Sequence, residues 1–395
     1  MRLGIIGAGQ SACTLATELI RGQFDGEILI FNGESHRPYQ RPPLSKTSLK
    51  TRTDTNTLLL LPEPIENHAS IQWIREWVNF IQPDSGEIHT QQARYHVDQI
   101  VLATGTRAKR LTIKGLPPET QHVVRTLDDT ERLKQHIDHA KNITIIGAGF
   151  LAFELAATLD HPDRVIRIVA KGDRLLPQVS LKTADRLVGS SPASTAVDVR
   201  IESYDTASKT LTTNHGPVPA DLVIIAAGAV PNTEIAMRCG LGTADGITTD
   251  AFMQTPHPKV SAIGEVSLHP QPHLGRPERV ESISEANESA TTCARRLLGH
   301  SEPFAAIPWF WSDQGQLKLQ IAGLCARSDD ETCLISTKAV SLVVRHRGDR
   351  VTAVEAINAP KEFMSARRLF ERGTVSLSAL SKAGSVFDLL QSSRS

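Results

Sequence analysis

A strand, a glycine turn and a helix are spelled out twice in this chain, with the second copy 140 residues after the first. In the first copy the apolar run Arg2-Leu3-Gly4-Ile5-Ile6 enters Gly7-Ala8-Gly9-Gln10-Ser11-Ala12 and continues into an apolar-periodic stretch, Cys13 to Ile20. In the second, Asn142-Ile143-Thr144-Ile145-Ile146 enters Gly147-Ala148-Gly149-Phe150-Leu151-Ala152 and continues from Phe153 to Leu159. Each reads as a buried strand, a tight turn and a helix. A second pair of segments matches the first. Val97 to Gly105 and Ala220 to Gly228 are apolar runs that end in glycine, as strands covered on both faces of a parallel sheet should. Two openings and two closures predict two Rossmann-like dinucleotide-binding domains.

A glycine turn can exist for packing alone, so its chemistry has to come from its neighbours. Small residues there let backbone N–H groups approach a pyrophosphate at a helix N-terminus. A carboxylate at the end of the next strand then holds ribose hydroxyls. The first copy has that carboxylate: the strand Ile28-Leu29-Ile30-Phe31 is followed by Glu34, 27 residues after Gly7. The rest of the composition bounds the possibilities. Lys plus Arg and Asp plus Glu both number 43, a balance that argues against nucleic acid or an anionic membrane as the main partner. No apolar run approaches the roughly 20 residues of a membrane span, and Met1-Arg2 lead directly into a strand, not a signal peptide. The five cysteines, Cys13, Cys239, Cys293, Cys325 and Cys333, contain no C-x-x-C pair, which gives no support to a disulfide scaffold, a zinc site or a redox dithiol. The expectation is a cytoplasmic, multidomain protein.

Beyond about Ala305 the pattern changes to short alternating segments, Lys318–Ala322, Thr332–Ser336, Ser341–Arg345 and Val351–Ile357, then an amphipathic helix from Lys361 to Arg372. This predicts a third, α+β domain, with the small polar residues after Gly373 fraying. Gly189 to Thr195 reads as a polar linker, and His257, His269 and His273 read as surface-loop histidines in a proline-rich stretch. Glu131, Arg132 and Lys134 read as a solvated helix face. Arg295 and Arg296, with Arg107, Lys109 and Arg110, read either as a basic dock for an acidic partner or as solvated surface.

One segment carries a resemblance. Pro38-Tyr39-Gln40-Arg41-Pro42-Pro43-Leu44-Ser45-Lys46 is similar to the P-Y-x-R-P-P-L-S-K segment of ferredoxin reductases of glutathione-reductase-like fold, which serve ring-hydroxylating dioxygenases and haem monooxygenases. Further segments follow in family order: Ala103-Thr104-Gly105-Thr106-Arg107, Pro231-Asn232-Thr233-Glu234, the helix from Glu281-Ser282 to Gly299, Pro308-Trp309-Phe310-Trp311-Ser312-Asp313-Gln314, and Asn358 to Arg368. The resemblance covers almost the whole chain. It implies FAD held by the first unit, NAD(P)H by the second, and a ferredoxin-type iron–sulfur protein as electron acceptor. By position, Gly7, Gly9 and Ala12 would line the pyrophosphate and Glu34 the ribose. Arg41, Pro43 and Lys46 would lie at the flavin, with Ala103, Thr104, Gly105 and Arg107 completing the site. Trp309 would pack near the isoalloxazine, and Glu154 would approach Lys46 and the flavin's reactive edge. Gly147, Gly149, Ala152, Lys171 and Gly228 would serve the coenzyme.

Three positions depart from that pattern. The second flavin motif ends Gly264-Glu265, where the family has G-D. The strand Val165 to Val169 ends in Ala170 and Lys171, with Arg167 and Arg174 nearby, where an NADH enzyme has a glutamate. NADH and NADPH therefore both stay open. The stretch from Asp173 to Gly228 reads as shortened. The expected architecture is an α/β flavoprotein of glutathione-reductase type, monomer or homodimer. Its FAD-binding domain spans 1–110 and 231–304, its coenzyme domain 111–230, and its C-terminal α+β domain 305–395. The expected reaction runs from NAD(P)H through FAD to a ferredoxin. The rivals are an NAD(P)H oxidase or small-molecule flavin reductase, and a flavin-bearing interaction or sensor protein whose coenzyme site has decayed.

Overall fold

The computed structural model describes residues 1–51 and 54–392. It divides into two compact units: Met1–Gln40 with Asp54–Arg107 and Val230–Pro308, and Arg41–Thr53 with Ala108–Ala229 and Trp309–Ser395.

In the first unit, the strands Gln99–Leu102, Arg2–Ile6, Glu27–Phe31 and Ile71–Ile74 lie side by side, all parallel, with Val260–Ala262 added beyond Gln99–Leu102. Alternation along these strands sends residues to opposite faces. Leu3, Ile5, Ile28, Ile30 and Val101 face the helices Gln10–Arg21 and Ile283–Leu297, meeting Leu15, Leu19, Ala290 and Cys293. Ile6, Leu29, Phe31, Ile100 and Leu102 face the other way, onto Ile81 and Ile88 of an antiparallel three-stranded layer, Val78–Gln82, Glu87–Thr90 and Arg94–His96. Burying each such side chain stabilises by about 1.5–3 kcal/mol, so the uninterrupted apolar strands follow from having cover on both faces.

The second unit repeats the plan. Leu222–Ile225, Asn142–Ile146, Val165–Val169 and Ser194–Ala196 are parallel neighbours, with Gln121–His122 beyond Leu222–Ile225. It too carries an antiparallel three-stranded layer, Ile201–Asp205, Thr210–Thr213 and Gly216–Pro219. The two glycine turns are equivalent in detail. Gly7 has φ +113°, and a Cβ there would stand 2.3 Å from the Ala103 carbonyl oxygen; a Cβ on Gly147, at φ +154°, would stand 2.1 Å from that of Ala226. In each unit the first glycine is required because the turn presses against the end of the closing strand.

Also in the second unit, Trp309–Gln314, Leu317–Gly323, Arg350–Ile357, Ser341–Arg347 and Asp330–Ser336 form an antiparallel sheet in that order, followed by the helix Pro360–Arg372.

Three sequence expectations change. The described residues after Gly373 do not fray: Leu377–Ala383 and Val386–Ser392 are helices, and Leu380, Val386 and Leu390 are fully buried, while 393–395 lie outside the described residues. Three apolar anchors among many small polar residues give no strong periodicity, yet they suffice to dock two short helices. The linker Gly189–Thr195 is shorter than it reads, because the helix Leu181–Gly189 ends on its first residue and Ser194–Ala196 pairs with Val165–Val169 as an edge strand, which leaves residues 190–193 as the connection. Small polar residues hide an edge strand, which needs cover on fewer sides. The segment from Arg41 groups with the second unit, where Arg41, Ser45 and Lys46 each hydrogen-bond.

Candidate functional site

The first glycine turn opens a cradle. Gly9 caps the 12-residue helix Gln10–Arg21 with no side chain bonding to its first turn, and a Cβ on Gly9 would meet nothing within 4 Å. The N-terminal N–H groups of this helix are orphaned within the helix and carry its positive dipole end. Such a site suits a pyrophosphate. Ala12 is buried beneath the turn, its methyl packed in the core. Glu34 follows the neighbouring strand, where the Tyr39 hydroxyl donates to its carboxylate. The second flavin motif comes up to the same turn: Gly264 has φ +76°, and a Cβ there would stand 2.6 Å from the Ser11 hydroxyl. Glu265, one methylene longer than the family's aspartate, accepts from Thr106 Oγ1 at 2.9 Å. These residues fit an FAD diphosphate and ribose.

Other expected ligands in this unit turn out to bind one another. Thr104 donates to the Asn232 carbonyl at 2.7 Å, and Asn232 Nδ2 returns a bond to the Thr104 carbonyl at 2.8 Å. Arg107 donates to Asn232 Oδ1 at 2.7 Å and pairs with Glu234 at 2.7 Å. Gly105, at φ +59°, accepts from the Asn232 N–H through its carbonyl. The A-T-G-x-R and P-N-T-E segments are therefore two halves of one lock at the end of the Ala103 strand.

A charged cluster forms in the second unit. Pro42–Ser45 is a short 3-10 turn, with Pro43 in its first turn, that buries Leu44 and Ser45 and leaves Lys46 at its end. Arg41 donates to the Arg125 carbonyl at 2.7 Å, which anchors the start of the turn. Lys46 Nζ lies 3.0 Å from Asp313 Oδ2 and 3.6 Å from Glu154 Oε1. Glu154, on the helix Phe150–Leu159, accepts from Ser45 at 2.9 Å through one oxygen and from Ser312 at 2.7 Å through the other. Burial pushes the Glu154 carboxyl above its ordinary value; Lys46 and the two hydroxyls pull the other way, and Asp313 adds to the rise. One ammonium is thus held between two carboxylates, one buried and one half-exposed. Trp309 stands on the same strand as Ser312 and Asp313, its ring 5.5 Å from that of Trp311 and 5.0 Å from the Arg367 guanidinium carbon. That strand was legible as a motif, but the roles of Ser45, Ser312 and Asp313 were not, since nothing local marks a serine that meets a glutamate 109 or 158 residues away.

The second glycine turn is built like the first. Gly149 caps Phe150–Leu159 with no side-chain bond, Ala152 is buried, and the Gly228 carbonyl accepts from Lys109 N at 3.0 Å. Ala170 is buried, whereas Lys171 is exposed and makes no hydrogen bond or ion pair among the described residues.

His269 departs from its sequence expectation. It lies on the strand Ser267–Gln271 with no exposed surface, its Nε2 3.0 Å from Glu285 Oε1, which is also buried. A histidine in a proline-rich stretch reads as surface; here Glu285 and the Phe304 ring, 4.6 Å from the imidazole, lie against it. His257 is half-buried, beside the exposed Asp84 at 3.1 Å. Several candidate docking cations are already engaged: Arg295 pairs with Glu302, Arg296 donates to Ser261 and the Phe252 carbonyl, and Arg110 donates to the Gln121 carbonyl. The five cysteines are free thiols. Burial pushes the Cys13, Cys239 and Cys293 thiols up and that of Cys325 up to about 11, the reverse of what a redox dithiol needs. Among the described residues no helix is long and apolar enough to cross a membrane.

Residues 1–290 match the pyridine nucleotide-disulphide oxidoreductase family and residues 309–390 the reductase C-terminal family. Rhodocoxin reductase of Rhodococcus erythropolis is 32% identical over 380 residues, 93% of this chain and 89% of that protein. The ferredoxin–NAD(+) reductase component of a p-cumate 2,3-dioxygenase system of Pseudomonas putida is 29% identical, over 93% of this chain and 92% of that one. Among solved structures, a ferredoxin reductase from Rhodopseudomonas palustris superimposes with a TM-score of 0.92 at 31% identity, covering 99% of both chains. The covalent putidaredoxin reductase–putidaredoxin complex gives 0.87 at 26% identity, covering 93% of this chain and 92% of that one. With its paired glycine turns and its C-terminal sheet, the chain belongs to the pyridine nucleotide-disulphide oxidoreductase family, in the ferredoxin-reductase branch that carries the reductase C-terminal domain.

Proposed function

We propose that this protein is an FAD-dependent oxidoreductase that carries electrons from NAD(P)H to a ferredoxin serving an oxygenase. The observation that carries the reading is the Lys46–Glu154–Asp313 cluster, a cation held by a buried carboxylate in a chain whose five cysteines are all free thiols. The relatives add direction: one is the reductase component of a dioxygenase system, and one structural match is a reductase captured with its putidaredoxin.

In this reading Gly7, Gly9 and Ala12 hold the FAD pyrophosphate and Glu34 the ribose, with Gly264 and Glu265 closing the other side. Gly147, Gly149 and Ala152 receive the coenzyme pyrophosphate. Arg41, Pro43, Lys46 and Trp309 attend the flavin. FAD supplies the chemistry proteins lack, accepting two electrons as hydride and releasing them one at a time. The chain's own residues set the field for that exchange. Lys46 would offer its positive charge to a bound flavin, and Glu154, fixed by Ser45 and Ser312, holds the ammonium in place. Asp313 balances the cation so that the buried carboxylate is not its only partner. The functional division is an FAD domain of 1–110 and 231–304, a coenzyme domain of 111–230 and a C-terminal domain from 305. A cytoplasmic location belongs to the same proposal, and five unpaired thiols suit a reducing compartment.

The test is anaerobic titration of the purified yellow protein with NADPH and NADH, followed by addition of putidaredoxin with cytochrome c as final acceptor. The reading expects the flavin band to bleach with at least one nucleotide and cytochrome reduction to need the ferredoxin. Rapid oxygen consumption with no ferredoxin would favour an oxidase, and a flavin that neither nucleotide bleaches would remove the reductase assignment.

A further inference from the structure

We propose that the coenzyme is NADPH, and that its 2′-phosphate is gripped by two cations, Lys171 and Arg327, the second delivered from the C-terminal sheet to the coenzyme loop. The proposal rests on the reductase reading above.

The position that would carry a ribose-binding acid is Ala170, and its backbone is fully committed: its N–H donates to the Ala196 carbonyl and its carbonyl accepts from Val199 N, both at 2.9 Å. No carboxylate stands there to repel a phosphate dianion. The loop that follows is stitched to the second glycine turn. Leu176 N donates to the Ala148 carbonyl at 2.7 Å, while the Gly172 carbonyl accepts from Asp198 N at 3.0 Å. Leu176 is buried at φ 47°, a left-handed backbone that a leucine tolerates only where its surroundings enforce it. The loop is therefore held in one shape beside the phosphate cradle.

Four cations could serve a 2′-phosphate, and two are already spent. Arg167 donates to Asn142 Oδ1 at 3.1 Å, and Arg174 folds back onto the Val179 carbonyl at 2.7 Å. Lys171 stands exposed with no partner among the described residues. Arg327 reaches Asp173, two residues beyond Lys171, at 3.2 Å.

Arg327 arrives there on a rigid support. Its turn is pinned by Asp329, which accepts from Ala326 N, Arg347 and Thr352, and by Arg345, which donates to the Asp329 carbonyl at 2.7 Å. Arg345 also lies 3.6 Å from buried Glu355, whose carboxylate accepts from Ser180 N at 2.9 Å and from the Ser180 hydroxyl. Ser180 closes the coenzyme loop. One buried ion pair thus braces both the turn that presents Arg327 and the loop that presents Lys171.

The Arg327–Asp173 pair itself is largely exposed, at 63% and 74% of side-chain surface. Exposed pairs are held weakly, so Asp173 parks the guanidinium without committing it. A phosphate offers more charge and a bidentate face, which a guanidinium fork matches. The hydroxyl of NADH offers neither.

The test uses the full FAD-loaded chain and calorimetric titration with 2′,5′-ADP and with 5′-AMP, fragments that differ in the 2′-phosphate. The expected result is 2′,5′-ADP binding about tenfold or more tighter, with Lys171→Ala and Arg327→Ala each weakening it by about 5- to 20-fold while 5′-AMP binding stays unchanged. Ala170→Glu should reverse the preference. Equal binding of the two fragments, or an Arg327→Ala variant that binds 2′,5′-ADP as the parent does, would overturn the proposal. Flavin bleaching separates the two readings. If NADH bleaches the flavin at concentrations as low as NADPH does, the phosphate site falls and the reductase stands. If 2′,5′-ADP binds tightly but neither nucleotide bleaches the flavin, the reductase reading falls instead.

Discussion

Replacing Lys46 by methionine removes one charge from a cluster whose other members remain. At 3.6 Å and an effective dielectric near 20, the attraction between Lys46 and Glu154 is about 5 kcal/mol before desolvation is subtracted. A net coupling of about 1–3 kcal/mol is what directly paired groups retain in a double-mutant cycle. The loss should depend on pH in a definite direction. Burial already holds the Glu154 carboxyl above its ordinary value, and Lys46 is the main influence restraining the rise. Without Lys46 the folded-state value climbs further. A carboxyl raised in the folded state contributes stability below its unfolded value and loses it as pH rises through the folded value. The Lys46→Met protein should therefore be nearly as stable as the parent at pH 5 and fall progressively behind towards pH 8. Glu154→Gln, and the double variant with Lys46→Met, should show no such widening gap. Calorimetric unfolding of the four FAD-loaded proteins across that range is the assay. In the same variants, flavin reduction should slow by about 100-fold for Lys46→Met, because a charge that stabilises reduced flavin is gone. A stability loss that is equal at pH 5 and pH 8, or single-variant losses that simply add in the double variant, would refute the coupling.

The two glycines of the first turn should separate folding from cofactor binding. Gly7→Ala drives a methyl onto the Ala103 carbonyl at 2.3 Å with a positive φ, so it should lower stability by several kcal/mol, about 3 or more, read by thermal unfolding. Gly9→Ala meets no protein atom within 4 Å and should unfold like the parent yet release FAD about tenfold more readily, read by flavin fluorescence on dilution. His269→Leu takes away the imidazole that faces buried Glu285 and should lower stability in chemical unfolding by about 1–3 kcal/mol, with part recovered in the His269→Leu, Glu285→Leu double variant. Ending the chain at Gly373 strips away Leu380, Val386 and Leu390, each worth about 1.5–3 kcal/mol of burial, so the shortened protein should melt earlier and aggregate; an unchanged melting temperature would mean the tail is dispensable.

What the sequence determined by itself is what is written locally. The apolar runs around Ile5, Ile30, Ile145 and Ile224 need cover on two faces, and that requirement already dictates a parallel sheet. Gly7 and Gly147 declare their turns because no other residue fits a positive φ against a carbonyl. The C-terminal strands showed in their alternation, and Trp309 to Gln314 stood out as a motif. Tertiary structure decided whatever depends on distant partners. The resemblance already set Glu154 beside Lys46, but Ser45 and Ser312 become its clamp only when segments 109 and 158 residues away fold against it. His269 is surface-like in its neighbourhood and buried in fact, because Glu285 arrives from a helix to pair with it. Thr104 and Arg107 are held by Asn232 and Glu234, partners more than a hundred residues away that nothing in their own neighbourhood announces. The reason is the same in each case: backbone preference and hydrophobic period act over a few residues, whereas a polar side chain's environment is set by whichever segment the completed fold places against it.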